Sequence, residues 1–225
     1  MKTLLTGGSG LLGSQMLKDN PELLAPSHQD FDVCNLELCA TRLSVYRPDV
    51  LIHAAAFTSP PKCEENPIAA LEVNVKGTAN LVQVCAHMDI KLVYISTDYV
   101  FDGKNGLYNA DDPINPVNKY AMSKAAGELA VRLIDRNLVV RTSFCENQFP
   151  YPKAFIDQYT SRDYVDVISP LIYEAATSKR TGVVHVGTER KSVYELAAKR
   201  KADVGELSVN DINFKVPIDT SFNYE

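Results

Sequence analysis

Two rhythms of hydrophobic and polar positions alternate along the first two thirds of the chain. Short apolar runs read as buried strands: Lys2–Thr6, Asp49–Ala55, Lys91–Ser96 and Asn137–Arg141, with a weaker one at Glu22–Pro26. Between them, apolar residues recur at helical spacing over Leu11–Lys18, Leu36–Tyr46, Ile68–His87 and Asn118–Ile134. Strands that are apolar throughout, alternating with helices, predict an α/β fold with a doubly wound parallel sheet covered on both faces. After Thr142 the rhythm weakens. Cys145–Lys153 contains Pro150 and Pro152 and reads as a loop, Val183–Val186 as a late strand and Ser192–Lys201 as a short helix. The tail from Asp211 reads as irregular. The expected organisation is a main domain over 1–142 and a small lobe over 143–225, interleaved with the last elements of the sheet.

At 225 residues the chain can bury a core without disulfides or metal. Hydrophobic residues make up 45% and charged residues 23%, an ordinary globular balance that excludes disorder. A net charge of -5 disfavours a dedicated nucleic-acid binder. The five cysteines show no Cys-x-x-Cys spacing, so reduced thiols in a cytoplasmic protein are expected rather than zinc or a disulfide framework. No stretch approaches the roughly 20 apolar residues of a membrane helix. The apolar start is broken by Gly7, Gly8, Gly10 and Gly13, so it does not read as a signal peptide. The histidines lack metal-ligand spacing, and His53 reads as a hydrogen-bonded structural residue at a strand end. No metal is expected.

Gly7, Gly10 and Gly13 form G-x-x-G-x-x-G between the first strand and the first helix. Such a turn lets backbone N–H groups approach a pyrophosphate, and the helix N-terminus at Leu11 and Leu12 adds partial positive charge. Gly13 is expected to let the helix pack close to the sheet. In this strand–turn–helix setting the motif predicts a Rossmann-type dinucleotide site. Where an acid would grip the ribose 2′-hydroxyl of NAD, the chain has Ser27, His28 and Gln29, with Asp32 and Val33 slightly later, able to line the adenine pocket. NAD(H) against NADP(H) is left open, with a slight lean to NADP(H) because no carboxylate is read there to repel a phosphate.

Tyr120 and Lys124 stand four apart, so both face one side of a helix. An ammonium beside a phenol favours the phenolate and makes Tyr120 a usable proton donor and acceptor. Alone the pair carries little weight, since about one is expected by chance at this composition. Thr97 gives it context. It closes a strand at the end of the sheet where ligands bind, and its hydroxyl could meet a substrate carbonyl.

These residues resemble the extended short-chain dehydrogenases/reductases. More narrowly, His53–Thr58, Lys62-Cys63-Glu64, Ser96–Gly103 (STDYVFDG), Arg141-Thr142-Ser143 and the Asp219-Thr220-Ser221 tail resemble the dTDP-4-dehydrorhamnose reductases. The likeness runs nearly unbroken from Met1 to Ser143 and is patchy afterwards. It implies a Thr97–Tyr120–Lys124 triad. Thr97 would polarise a sugar C4 carbonyl, Tyr120 would act as general acid, and Lys124 would hold the nicotinamide ribose and tune Tyr120. Ala54, Ala55 and Ala56 would lie under the cofactor, and Thr58, Asp98, Tyr99 and Phe144 would lie near the sugar. The implied reaction is NAD(P)H-dependent reduction of the C4 keto group of a nucleotide-linked 4-keto-6-deoxyhexose. No nucleic-acid or membrane partner is implied. Oligomeric state is left open, with a homodimer the assembly considered.

The departures from the family pattern fall on the substrate side. Phe144 stands where the family carries Trp, Glu146–Pro150 replaces a Gly-x-Asn-Phe stretch, and Pro60-Pro61 replaces Val-Asp. The C-terminal substrate lobe reads as shortened. Two other functions are weighed beside reduction: a nucleotide-sugar epimerase of the same superfamily, and a non-catalytic NAD(P)-binding regulatory subunit. Tyr99 in place of a Glu after Asp98 counts against a dehydratase.

Overall fold

A computed structural model of the chain describes residues 1–212 and 216–224. Strand β1 (Thr3–Thr6) runs into the glycine turn and helix α1 (Leu11–Asp19), and α2 (Leu36–Tyr46) leads to β2 (Val50–His53). After β2 comes α3 (Pro60–Glu65). A short α4 (Pro67–Ala70) then passes through a π-helical stretch, Leu71–Gly77, into α5 (Thr78–Met88). Then follow β3 (Lys91–Ile95), α6 (Lys119–Val131) and β4 (Asn137–Thr142). Beyond β4 lie the short strands β5 (Phe144–Cys145), β6 (Lys153–Phe155), β7 (Tyr159–Thr160) and β8 (Asp163–Tyr164), then α7 (Val165–Thr177) and β9 (Gly182–Val186). Last come β10 (Lys191–Ser192), α8 (Val193–Ala198) and β11 (Gly205–Leu207).

The central sheet has the order β1-β2-β3-β4-β9, and all its pairs are parallel. This is the α/β, Rossmann-type doubly wound architecture. Alternate strand residues face opposite cores, as a pleat requires. Leu5, Ile52, Val93 and Val140 pack with Leu12, Met16, Ile168 and Ile172 of α1 and α7. Leu4, Leu51, Leu92 and Val139 pack with Leu43, Leu81, Cys85 and Val131 of α2, α5 and α6. Burial on both faces explains why these strands lack polar alternation.

The segment beyond residue 142 contributes α7 and the edge strand β9 to this body. The lobe itself is held by three small two-stranded pairings, β5–β8, β7–β10 and β6–β11. Helix α8 opens on a capping box between Ser192 and Glu195.

Four elements differ from the pattern reading. Helix α7, which carries Pro170 inside it, has no counterpart there. The expected strand at Glu22–Pro26 shrinks to a single bridge, Leu24 with Leu4. Pro21 and Pro26 flank it, and proline supplies no N–H to a ladder. The single helix expected over Ile68–His87 is interrupted by the π stretch. The tail is not irregular throughout its described part. Residues 216–224 cross the molecule as a strap, with bridges Tyr159–Asp219 and Tyr108–Phe222. Residues 213–215, also in that tail, lie outside the described residues.

Candidate active site

One cleft of about 960 Å³ opens at the carboxyl ends of β1–β4, and the structure gathers the sequence-predicted site residues around it. Its floor at one end is the glycine turn. Gly7 has φ +78, and a Cβ there would stand 2.6 Å from the Ala55 nitrogen, so only glycine lets β1 pass this close to the β2 exit. The Gly10 N–H donates to the Gly7 carbonyl at 3.0 Å, closing the turn. A Cβ on Gly13 would stand 2.1 Å from the Gly7 carbonyl oxygen. The close approach at Gly13 is therefore to the turn itself rather than to the sheet. Gly10 offers α1 no side-chain cap, and no acidic residue sits in its first turn, so the partial positive charge at Leu11 and Leu12 is directed at the cleft. Ala54, Ala55 and Ala56 line the same end with small side chains. These features fit a pyrophosphate of a dinucleotide.

At the end where adenosine is expected, the cleft is lined by Ser27, His28, Asp32 and Val33. The absence of a carboxylate read from the sequence is corrected here. The turn after Ser27 brings Asp30 back, and the Ser27 hydroxyl donates to its Oδ2 at 2.7 Å. Asp32 Oδ1 accepts the Cys34 N–H at 2.9 Å and lies 3.9 Å from His28 Nδ1.

The opposite end holds Thr97, Tyr120 and Lys124. Thr97 leaves β3 and caps a 3₁₀ turn over Asp98–Val100, its hydroxyl accepting the Tyr99 N–H at 3.2 Å. Tyr120 and Lys124 project from α6, which Asn118 caps by accepting the Ala121 N–H at 2.8 Å. Tyr120 is partly exposed at the cleft wall. The surrounding protein pushes its phenol well above its ordinary value, and the Thr97 hydroxyl pulls it back only in part.

Lys124 is buried, and desolvation lowers it to about 7, against an opposing pull from Glu128. Its ammonium sits 4.1 Å from the centroid of the Tyr94 ring. A lysine lowered to about 7 is only partly charged at neutrality, so the expected lowering of Tyr120 by Lys124 gives way to burial. A phenol held up in this way keeps its proton until a substrate oxygen draws it off.

Several residues of this wall were not singled out in the sequence. Glu128, one helical turn beyond Lys124, is buried with Arg141 in a bidentate pair whose shortest contact is 2.6 Å; Ser96 also donates to it at 2.9 Å. The i,i+4 spacing from Lys124 was a usable signal for Glu128. Asn74, on the π stretch, accepts the Phe57 N–H at 2.7 Å and donates to Ser123 Oγ at 2.8 Å. It thereby ties the loop of Thr58 to the helix of Tyr120, and a π-helical register has no sequence signature. Arg162 lines the cleft beside Phe144 and donates from Nε to Ser143 Oγ at 2.9 Å. Thr142 also lines it, with a buried hydroxyl.

Other expectations resolve as packing. His53 is buried between the hydroxyls of Thr6 at 2.8 Å and Thr78 at 3.1 Å, and burial lowers it to about 3. It is the structural histidine its position suggested. Arg190 and Lys191, two cations of the C-terminal segment, are engaged within the protein. Arg190 stacks 3.8 Å from the Tyr159 ring and pairs with Asp219 at 2.8 Å, while Lys191 is buried against Asp163 at 3.6 Å. No helix among the described residues is long and apolar enough to cross a membrane.

Residues 1–170 match the family described as RmlD substrate binding domain. A dTDP-4-dehydrorhamnose reductase of Aggregatibacter actinomycetemcomitans is 33% identical over 180 residues, covering 76% of this chain and 61% of that one. Methionine adenosyltransferase 2 subunit beta of Bos taurus is 32% identical over 148 residues, covering 61% of this chain and 44% of that one. The matched segment thus spans about half of these curated relatives. Among solved structures, dTDP-4-dehydrorhamnose reductase from Bacillus anthracis in complex with NADP superposes with a TM-score of 0.90 at 28% identity, covering 100% of this chain and 92% of that one. With a family match over most of its length and a cleft at the ends of its parallel strands, the chain belongs to the RmlD substrate binding domain family.

Proposed function

We propose that this protein reduces the C4 keto group of a nucleotide-linked 4-keto-6-deoxyhexose, a step of deoxysugar biosynthesis, using a nicotinamide dinucleotide. The observation that carries this reading is that Thr97, Tyr120 and Lys124 share one cleft with the glycine turn of Gly7 and Gly10. The cleft volume suits a dinucleotide with a second ligand beside it. The relatives named dTDP-4-dehydrorhamnose reductase support the substrate class. We further propose that the lobe built after residue 142, apart from α7 and β9, holds the sugar nucleotide.

Gly7, Gly10 and the N-terminus of α1 hold the pyrophosphate, and Ala54–Ala56 leave room for the rings. When bound, the reduced dinucleotide supplies the hydride that adds to C4. The chain's own residues manage the proton. Thr97 donates a hydrogen bond to the C4 oxygen, polarising the carbonyl. Tyr120 gives its phenolic proton to that oxygen as negative charge develops, so that C=O becomes CH–OH. Lys124 lies one turn from Tyr120 and supports the phenolate that remains. Asn74, through Ser123 and Phe57, keeps the two walls of the cleft in register. Thr58, Tyr99 and Phe144 line the cleft where the sugar would sit. We place NADP(H) slightly ahead of NAD(H), because His28 lines this end of the cleft and can meet a 2′-phosphate, and the Bacillus anthracis reductase is in complex with NADP.

The test is oxidation of NADPH and of NADH by the purified protein with a freshly generated nucleotide-linked 4-keto-6-deoxyglucose, with a 3,5-epimerase supplied. Sugar-dependent oxidation is expected. Dinucleotide binding without oxidation would favour the second reading, a non-catalytic regulatory subunit, to which the bovine relative's name points.

A further inference from the structure

Asp98 was expected beside the sugar. It lines the cleft but is almost wholly buried, and its carboxylate is turned into the protein. Three hydroxyls from three distant parts of the chain converge on it. Thr220 Oγ1 donates to Oδ2 at 2.7 Å, Thr160 Oγ1 to Oδ2 at 3.4 Å, and Thr97 Oγ1 to Oδ1 at 3.2 Å. All three threonines are buried. Thr220 belongs to the C-terminal strap, which is held on both sides. Its own N–H donates to the Tyr159 carbonyl at 3.0 Å, the Tyr108 N–H donates to the Ser221 carbonyl at 2.9 Å, and the Phe222 N–H donates to Ser161 Oγ at 3.0 Å.

The arrangement matters because Thr97 has one hydroxyl proton. That proton is shared with Asp98 in the structure, yet it must turn to a substrate oxygen for Thr97 to polarise a carbonyl. A buried carboxylate does not release a donor unless other donors satisfy it. The shortest and best-placed of the others is Thr220.

We propose that Thr220 is a positioning residue: by satisfying Asp98 it frees the Thr97 hydroxyl for the substrate carbonyl, so the C-terminal strap completes the active site from outside it. The proposal rests on the reductase reading for its kinetic part. Its geometric part stands without it. Thr220→Val keeps the shape of the side chain and removes the donor. Asp98 then draws on Thr97.

The experiment pairs kinetics with crystallography of the intact chain. In Thr220→Val, kcat with the 4-keto-6-deoxy sugar nucleotide is expected to fall roughly tenfold to a hundredfold, with KM for both substrates within about threefold of wild type. Thr220→Ser, which restores a hydroxyl, is expected to recover most of the kcat. A strap that only added stability would change the unfolding temperature, or KM, without this split. In the crystal structure of Thr220→Val, the Thr97 Oγ1 to Asp98 Oδ1 distance is expected to shorten from 3.2 Å towards about 2.7 Å. An unchanged distance, or wild-type kcat in Thr220→Val, overturns the proposal. If wild-type protein turns over no keto sugar, the reductase reading fails and the distance alone decides the inference.

Discussion

The two ends of the cleft are built by different means. The end proposed for the dinucleotide is made of backbone. Gly7, Gly10 and Gly13 sit within one strand–turn–helix, and their fitness lies in lacking a side chain where another atom stands 2.1 to 3.3 Å from a Cβ position. The end proposed for catalysis is made of side chains brought together across the fold. Thr97, Tyr120 and Lys124 are braced by Asn74, Glu128, Arg141, Thr160, Arg162 and Thr220, and the nine residues come from six stretches of chain. A local backbone site is all or nothing, because one added carbon fills it. A side-chain assembly is graded, because each brace can be removed and the rest remains.

The sharpest way to break this contrast is Gly13→Val. The new side chain starts 2.1 Å from the Gly7 carbonyl oxygen, so the turn must open. Complete loss of NADPH binding is expected in a fluorescence titration, and measurable binding would show that the turn is not the cradle. Next in size is Tyr120→Phe. Removing the proton donor is expected to cut turnover by roughly a hundredfold or more, with dinucleotide affinity largely kept. Turnover near wild type would remove Tyr120 from the mechanism.

Glu128→Ala follows. It strands the buried Arg141 guanidinium, so a loss of about 3–5 kcal/mol is expected in urea unfolding. Glu72→Ala breaks an exposed pair with Lys76 of almost the same length, 2.7 Å, and is expected to leave the urea midpoint unchanged. Equal losses in the two variants would contradict burial as the source of the difference.

A further expected effect, one that varies with pH, concerns Lys124. Its folded value is lowered from 10.5 to about 7, so the native state binds fewer protons than the unfolded chain between those values. Stability conferred by its deprotonation therefore grows as pH rises from about 7 towards 10.5. Below about 7 the buried charge is a full burden on the fold. Lys124→Met is expected to gain most in thermal unfolding temperature below pH 7 over wild type, with the gain shrinking above it. A gain that is flat with pH would mean the lysine is not desolvated.

The same division decides what could be read in the sequence. β1, β2, β3 and β4 were legible because burial on both faces writes itself as uninterrupted apolar runs. The glycine turn was legible because its chemistry is local. Thr97, Tyr120 and Lys124 were found because Tyr and Lys lie one helical turn apart and Thr97 closes a strand. Asp98 was placed near the sugar by resemblance, whereas its partners Thr160 and Thr220 lie 62 and 122 residues away. No local pattern announces such a meeting. The same limit shows on a smaller scale after β1, where a turn brings Asp30 back onto the Ser27 hydroxyl although it stands three residues later in the chain. Leu24 failed as a strand because an edge flanked by prolines keeps only the pairing its neighbour allows.

The π-helical stretch Leu71–Gly77 carries one consequence of its own. A π turn holds a residue more than an α turn of the same span, and its hydrogen bonds are the poorer for it. Deleting a single residue there would let α4 and α5 join as one regular helix with a better bonded backbone. The same deletion would rotate Asn74 by about 100° around the helix axis, away from Phe57 and Ser123. The π turn is therefore what aims Asn74 at Phe57 and Ser123, and a chain shortened there should be a poorer catalyst.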